Sequence, residues 1–296
     1  MKIIHHNDLD GYVAGSIIKV KYPQAKCFSV NYDNPDLLPK KEDFKEEEVV
    51  FMVDYTIDNV ILMNWLIEHT KLYWIDHHKT SLEKEKKYGW EKVKGIRKVG
   101  PCGAELCWDF VYKGELLPKF VRLVGDYDTF RFADKPIHEK IVLPFAFGAM
   151  SQMDKMKPEN YERKDFLFKT KDSFYHNFGF VEKGEIIYAY KKVQGQIENP
   201  CNCFIKNIWG YRVLCMNSCG RGSDQFTIPG TWNPELHDMM LIFYFNGQKW
   251  CYGLYTEKKE VDVSKICLNY GGGGHQGAGG FNLDYLLKEL TNENPK

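Results

Sequence analysis

Three short apolar runs in this chain each end in acids or histidines, and that repetition constrains the fold more than any other feature. Lys2-Ile3-Ile4 leads into His5-His6-Asn7-Asp8-Leu9-Asp10-Gly11, and Val49-Val50-Phe51-Met52-Val53 into Asp54-Tyr55-Thr56. Leu72-Tyr73-Trp74-Ile75 leads into Asp76-His77-His78. In an open parallel α/β sheet, ligands bind beyond the carboxyl ends of the strands. Three strands that deliver Asp and His there point to one shared site. Carboxylates mixed with imidazoles suit Mn²⁺ or a similar divalent ion, and several carboxylates suggest more than one metal. Crowded carboxylates raise one another's pKa unless cations neutralise them. A lone Asp-x-Asp before glycine is an ordinary turn, and a lone His-His pair is ordinary surface. Their placement, each set directly after an apolar run, is what marks them out.

The order of elements supports a parallel sheet. Residues 1–4 read as a strand, Tyr12 to Val20 as a helix, Cys27-Phe28-Ser29-Val30 as a second strand and Val49–Val53 as a third. Ile57 to His69 has helical apolar spacing, and Lys71–Ile75 is a fourth strand. This βαβα alternation predicts an α/β domain with helices on both faces. Ser81 to Lys94 is charged and reads as a solvated excursion. Gly100-Pro101-Cys102-Gly103 precedes a short helix, Ala104 to Tyr112. A helical stretch from Pro118 to Val124 leads to a fourth acidic cluster, Gly125-Asp126-Tyr127-Asp128-Thr129-Phe130. Residues 137–180, rich in aromatics and Met (Phe145, Phe147, Phe166, Phe168, Phe174, Tyr175), read as helices capping the first domain by core packing.

Composition shifts after a connecting helix, Gly184 to Ile197, which Asn199-Pro200 ends. Short strands follow at Phe204-Ile205, Tyr211–Cys215, Met240–Tyr244 and Trp250–Leu254, with Asn246-Gly247 as a hairpin signal. A helix from Val261 to Leu268 runs into Gly271-Gly272-Gly273-Gly274-His275-Gln276-Gly277-Ala278-Gly279-Gly280-Phe281, and a last helix spans Leu283 to Leu290. The expected domains are residues 1–183, a linker over 184–200, and a smaller mixed α/β domain over 201–296. Glycine loses the most entropy on folding, so ordering such a run is costly. It can expose successive N–H groups to a phosphate, with His275 adding a donor; alone, it is equally a flexible turn. Beside a metal cluster the phosphate reading is favoured.

Lys plus Arg and Asp plus Glu both number 40, so there is no net charge. That argues against a broad grip on long nucleic acid, which needs many phosphate contacts. No stretch approaches the roughly 20 apolar residues of a membrane span, and no signal-peptide pattern precedes Lys2-Ile3-Ile4. The expectation is a cytoplasmic protein without a membrane partner. The nine cysteines read as reduced thiols. Cys201-x-Cys203 and Cys215-x-x-x-Cys219 fit no common zinc spacing.

Over nearly its whole length the chain resembles the DHH phosphoesterase superfamily. Asp76-His77-His78 is similar to the eponymous motif, His6-Asn7-Asp8-Leu9-Asp10-Gly11 to the first, Asp54 to the second and Gly125-Asp126 to the fourth. Gly271–His275 with Gly277–Phe281 resembles the glycine loop of the DHH-associated domain, found in the RecJ and nanoRNase branches. The resemblance implies two ions, most expectedly Mn²⁺. His6, Asp8 and Asp54 would hold one; Asp10, Asp54, His77 and Asp126 would hold the other, with Asp54 bridging. His78, with Asp76, takes the catalytic role at the scissile phosphate. Gly272, Gly273, Gly274 and His275 would contact substrate. His5 competes with His6, and Asp128 with Asp126. The nanoRNases carry Ser-Leu-Arg-Ser where this chain has Gly253-Leu254-Tyr255-Thr256, so their substrate-gripping arginine is replaced by Tyr255. Tyr255 is then a candidate for base stacking. Arg221 is a candidate replacement cation, or a solvated loop arginine.

The implied activity is metal-dependent hydrolysis of phosphodiester or 3′-phosphomonoester bonds in short nucleotides. Candidate substrates are short oligoribonucleotides, linear or cyclic dinucleotides and 3′-phosphoadenosine 5′-phosphate. The alternatives are a RecJ-like single-strand exonuclease and a non-catalytic nucleotide-binding module. Nothing in the sequence excludes a homodimer.

Overall fold

The computed structural model describes residues 1–32, 34–131, 135–163 and 179–291. The chain divides into two compact units, Met1–Tyr188 and Ala189–Lys296.

The first unit is built on four parallel strands in the order β2-β1-β3-β4. These are β1 (Lys2–His6), β2 (Lys26–Val30), β3 (Val49–Val53) and β4 (Lys71–Ile75). A parallel sheet buried on both faces reads as continuous apolar sequence rather than alternation, as Val49–Val53 and Leu72–Ile75 do. On one face Ile3, Phe51, Val53 and Ile75 pack with residues of helices α1 (Leu9–Lys21), α4 (Gly103–Val111) and α5 (Lys119–Asp128). On the other, Ile4, Val50, Met52 and Trp74 pack with Leu62, Met63 and Leu66 of α2 (Val60–His69). Both faces are therefore covered by helices, as the βαβα pattern predicts.

Two stretches differ from expectation. The charged run after His78 is helical as far as Tyr88 (α3, Lys79–Tyr88) and closes at Gly89 in the left-handed region, φ 74°. Its charges are the solvated side of a helix whose first turn buries Thr80 and Ser81. Helix α5 continues four residues past Val124, so Asp126 and Asp128 sit on its last turn rather than in a loop. Of the aromatic cap, helix α6 (Leu143–Met150) sends Phe145, Ala146 and Ala149 into the core. Phe166, Phe168, Phe174 and Tyr175 lie outside the described residues.

Helix α7 runs from Phe180 to Asn202 with Pro200 in its last turn. The second unit holds a six-stranded mixed sheet in the order β5-β6-β7-β8-β10-β9. Its strands are β5 (Cys203–Ile208), β6 (Tyr211–Asn217), β7 (Met239–Phe245), β8 (Trp250–Tyr255), β9 (Gly273–Gly274) and β10 (Ala278–Leu283). Only the β6–β7 pair is parallel. Asn246 closes the β7–β8 hairpin by accepting the N–H groups of Gln248 and Lys249 at 2.9 and 2.8 Å, and Gly247 takes φ 96°. Helix α8 (Val263–Asn269) packs Val263 and Cys267 on the sheet. The expected last helix is not one. Residues up to Leu283 pair with β8, and among the described residues only a single tight turn, Lys288–Leu290, follows. No described helix is long and apolar enough to cross a membrane.

Candidate metal centre

Strands β1, β3 and β4 of the first sheet end level with one another. His5 pairs with Val53, and Val53 with Ile75. His6, Asp54 and Asp76 therefore emerge at the same edge, as ligands do beyond parallel strands. Asp54 holds a left-handed backbone, φ 51°. A non-glycine residue there stores strain, a state that persists when the surroundings over-determine it. Asp8 caps α1, its Oδ1 accepting the Gly11 N–H at 2.8 Å. Gly11 must be glycine, because a Cβ there would lie 2.3 Å from the His6 carbonyl oxygen.

The donors form two sets that share one carboxylate. In the first, His6 Nδ1 is 2.8 Å from Asp8 Oδ2 and 4.0 Å from Asp54 Oδ2. In the second, His77 Nε2 is 3.1 Å from Asp54 Oδ1, 3.6 Å from Asp10 Oδ2 and 3.5 Å from Asp128 Oδ2. The groups His6–Asp8–Asp54 and Asp10–His77–Asp128 each place their ligand atoms within 4.8 Å of one another. Asp54 Oδ2 and Asp128 Oδ2 are buried and accept no hydrogen bond among the described residues. Buried carboxylate oxygens without donors are costly unless a cation meets them. The donor set thus fits metal ions, with oxygen and imidazole ligands of the kind Mn²⁺ accepts.

The electrostatics agree. Burial, followed by the charges of Asp10, Asp8 and Asp128, pushes the Asp54 carboxyl well above the ordinary carboxylate range. Burial and Asp128 lift Asp10 to about 6. Burial and Asp8 lift Asp128 to about 7. Burial, with His78 beside it, lowers His77 to about 4, leaving it neutral and able to ligate. A cation reverses each carboxylate shift by supplying the missing opposite charge.

Asp76 is spent differently. Its Oδ1 accepts the backbone N–H groups of His77 at 2.7 Å and His78 at 3.1 Å, and lies 2.7 Å from His78 Nδ1. Its Oδ2 accepts the Thr56 hydroxyl at 2.6 Å, and Thr56 in turn bonds Ser81. Burial opposes the charge on both partners, yet their pairing outweighs it. His78 rises to about 9, and Asp76 falls far below the carboxylate range. Asp76 is thus a buried anion that orients His78 and keeps it protonated.

The structure separates the sequence alternatives. His6 faces the donors. His5, one residue back and on the opposite face of β1, donates from Nδ1 to the His6 carbonyl at 2.8 Å and packs edge-on to Tyr12 of α1. At the end of α5, Asp128 joins Asp10 and His77, whereas Asp126 is drawn to Arg131 Nε at 3.0 Å. Arg131 also donates to Glu105 at 2.8 Å. Of the two aspartates the sequence left in competition, the one expected as ligand, Asp126, is thus set apart from the donor set, and Asp128 stands within it.

Sequence reasoning missed the support of Asp10. Its two oxygens accept the N–H groups of Gly103 at 2.7 Å and Ala104 at 2.8 Å, the first turn of α4. A helix N-terminus carries unsatisfied donors and partial positive charge, so it holds a carboxylate well. A Cβ on Gly103 would lie 2.7 Å from Asp54 Cβ. The signal was the Gly-Pro-Cys-Gly segment, read only as a helix start.

The glycine loop belongs to the second unit. Gly273–Gly274 pairs antiparallel with Gly279–Gly280. The N–H groups of Gly271, Gly272 and His275 go to the carbonyls of Leu268, Cys267 and Ala278 at 3.1, 2.9 and 2.7 Å. A Cβ on Gly272 would lie 2.0 Å from the Gly280 oxygen, and Gly274 takes φ 131°. The hairpin itself thus demands these glycines. Arg221 is neither a solvated arginine nor an uncommitted cation, since its largely buried side chain donates to Glu198 at 2.6 Å. Tyr255 packs against the Leu214, Met216, Met240 and Ile242 cluster.

No family model matches the chain. Oligoribonuclease NrnB of Bacillus subtilis is 24% identical over 302 aligned positions, covering 96% of this chain and 73% of that protein. That similarity over nearly the whole chain agrees with the motif resemblance to the DHH phosphoesterases. The pGpG-specific phosphodiesterase PggH from Vibrio cholerae is similar in fold, with a TM-score of 0.50, 13% identity and coverage of 96% of this chain and 93% of that one.

Proposed function

We propose that this protein is a phosphoesterase of the DHH type, a metal-dependent hydrolase that cleaves phosphate esters of short nucleotides. The observation that carries the reading is the pair of donor sets hinged on Asp54. The similarity to an oligoribonuclease over nearly the whole chain, and the zero net charge, favour a short substrate.

His6, Asp8 and Asp54 would hold one ion, and Asp10, Asp54, His77 and Asp128 the other, both most readily Mn²⁺. When bound, the ions neutralise phosphoryl charge and acidify water at neutral pH. The chain's own groups do the rest. The first turn of α4 fixes Asp10, so its carboxylate does not reorient as charge builds. Neutral His77 offers a ring nitrogen to the donor set rather than a competing cation. His78, protonated below about pH 9 and held by Asp76, donates a hydrogen bond to a phosphoryl oxygen or a proton to the leaving oxygen. In the second unit Gly272, Gly273, Gly274, His275 and Tyr255 are proposed substrate contacts, with Arg221 acting through its pair with Glu198.

Product analysis on a labelled panel with Mn²⁺ tests this: short and long RNA, single-stranded DNA, linear and cyclic dinucleotides, and 3′-phosphoadenosine 5′-phosphate. Fastest turnover of the shortest species is expected. Preference for long single-stranded DNA would replace the reading with a processive exonuclease, and full activity in Asp54→Ala would end it.

A further inference from the structure

Tyr32, just after β2, keeps 40% of its surface exposed yet is held at both ends. Its ring centroid lies 4.5 Å from that of buried Tyr55, with the planes tilted by 30°. It lies 5.6 Å from the imidazole of His6. Tyr55 itself stacks on His6 at 6.3 Å with planes 20° apart. The Tyr32 hydroxyl accepts the Thr56 N–H at 3.1 Å. The segment Asp54-Tyr55-Thr56, which supplies the shared carboxylate, therefore also fixes this exposed ring. Surface side chains ordinarily keep their rotamer freedom, and ordering one on binding costs free energy. Here that ordering is done in advance, on a flat group beside a proposed ligand.

We propose that Tyr32 is the base platform of the centre, stacking on the nucleobase of the nucleotide whose phosphate is cut. A nucleotide carries its base one ribose away from its phosphate, and the Tyr32 ring stands one imidazole away from the donor set. Stacking is tolerant of base identity, because every base has a π face. Tyr32 thus selects for the presence of a base rather than for its sequence. The inference rests on the short-nucleotide reading above.

The test uses the full chain with Mn²⁺. Binding of AMP and of ribose 5-phosphate is measured by calorimetry. Hydrolysis of a dinucleotide is compared with that of its counterpart lacking the 5′ base. In Tyr32→Ala, AMP affinity and dinucleotide kcat/KM should fall about 5- to 100-fold, mainly through KM. Ribose 5-phosphate binding and hydrolysis of the base-free substrate should stay at wild-type values. Tyr32→Phe and Tyr32→Trp should retain most of the base preference. Equal losses on both substrates would overturn the proposal in favour of simple support for His6, and so would no loss on either. A wild-type protein that turns over neither substrate, and binds AMP no better than ribose 5-phosphate, would overturn the short-nucleotide reading along with it.

Discussion

The metal centre of the first unit and the glycine loop of the second spend their hydrogen bonds in opposite ways. In the centre, buried acceptors on Asp54 and Asp128 are left without donors among the described residues, and like charges crowd together. In the loop, the amides of Gly271, Gly272 and His275 already have backbone partners. The first is built at a cost to itself that a bound cation would relieve. The second spends these amides on itself, and its glycines answer first to a hairpin. Unsatisfied groups mark a binding site more securely than unusual composition does.

The sharpest way to break this contrast is at Asp54. Asp54→Asn should lower hydrolysis by at least about 10³-fold and abolish tight Mn²⁺ binding. The same change should leave the metal-free protein as stable as wild type or more so, since it removes a crowded charge. Metal titration and thermal unfolding in chelator check both halves, and a large loss of metal-free stability would contradict them.

Next comes the pair on α5. Asp128→Asn should cost about 10²-fold or more in kcat with little change in stability. Asp126→Asn should keep most of the activity and lose about 1 kcal/mol through its contact with Arg131. Reversed outcomes would restore Asp126 as the ligand.

The loop predicts the opposite kind of damage. Gly272→Ala should destabilise the second unit by about 2 kcal/mol, because its Cβ meets the Gly280 oxygen. Gly271→Ala, with open space but φ 77°, should cost only about 1 kcal/mol. Urea unfolding separates the two. Equal, negligible costs would mean the run is not held by packing.

The smallest effect is a pH dependence. Asp10 and Asp128 have folded pKa values raised to about 6 and about 7 from 3.8. The folded metal-free chain therefore binds more protons than the unfolded one between those values. Stability is greatest below pH 3.8 on their account, and is lost as pH rises through 6 to 7. The metal-free Tm should fall by on the order of 5 °C across that window relative to Asp128→Asn, which removes one of the two groups and the leading charge that raises the other. Saturating Mn²⁺ should flatten the difference.

Much of this was legible in the sequence, for identifiable reasons. Strands buried on both faces announce themselves as apolar runs, and acids directly after them are conspicuous. The β1 histidines were ambiguous because alternation says only that one faces each side; which side holds α1 is a tertiary fact. Asp126 and Asp128 lie about 200° apart on a helix, so the choice between them needed the knowledge that α5 continues through them. The charged α3 was hidden because its burial is confined to one short stretch. The last helix failed because Leu283 is claimed by pairing with β8. The amides of Gly103 and Ala104 could not be foreseen, since nothing local ties them to Asp10.

That last link bears on how the protein is made. On the ribosome, His6, Asp8, Asp10, Asp54 and His77 all emerge before Gly103, and Asp128 comes later still. Until α4 arrives, Asp10 has neither of its two backbone donors. An ion captured by the nascent chain would meet a partial ligand set with a loose Asp10. If the proposed ions bind, productive loading would follow synthesis of most of the first unit, and ion uptake during translation should report completion of that unit rather than formation of the motifs themselves.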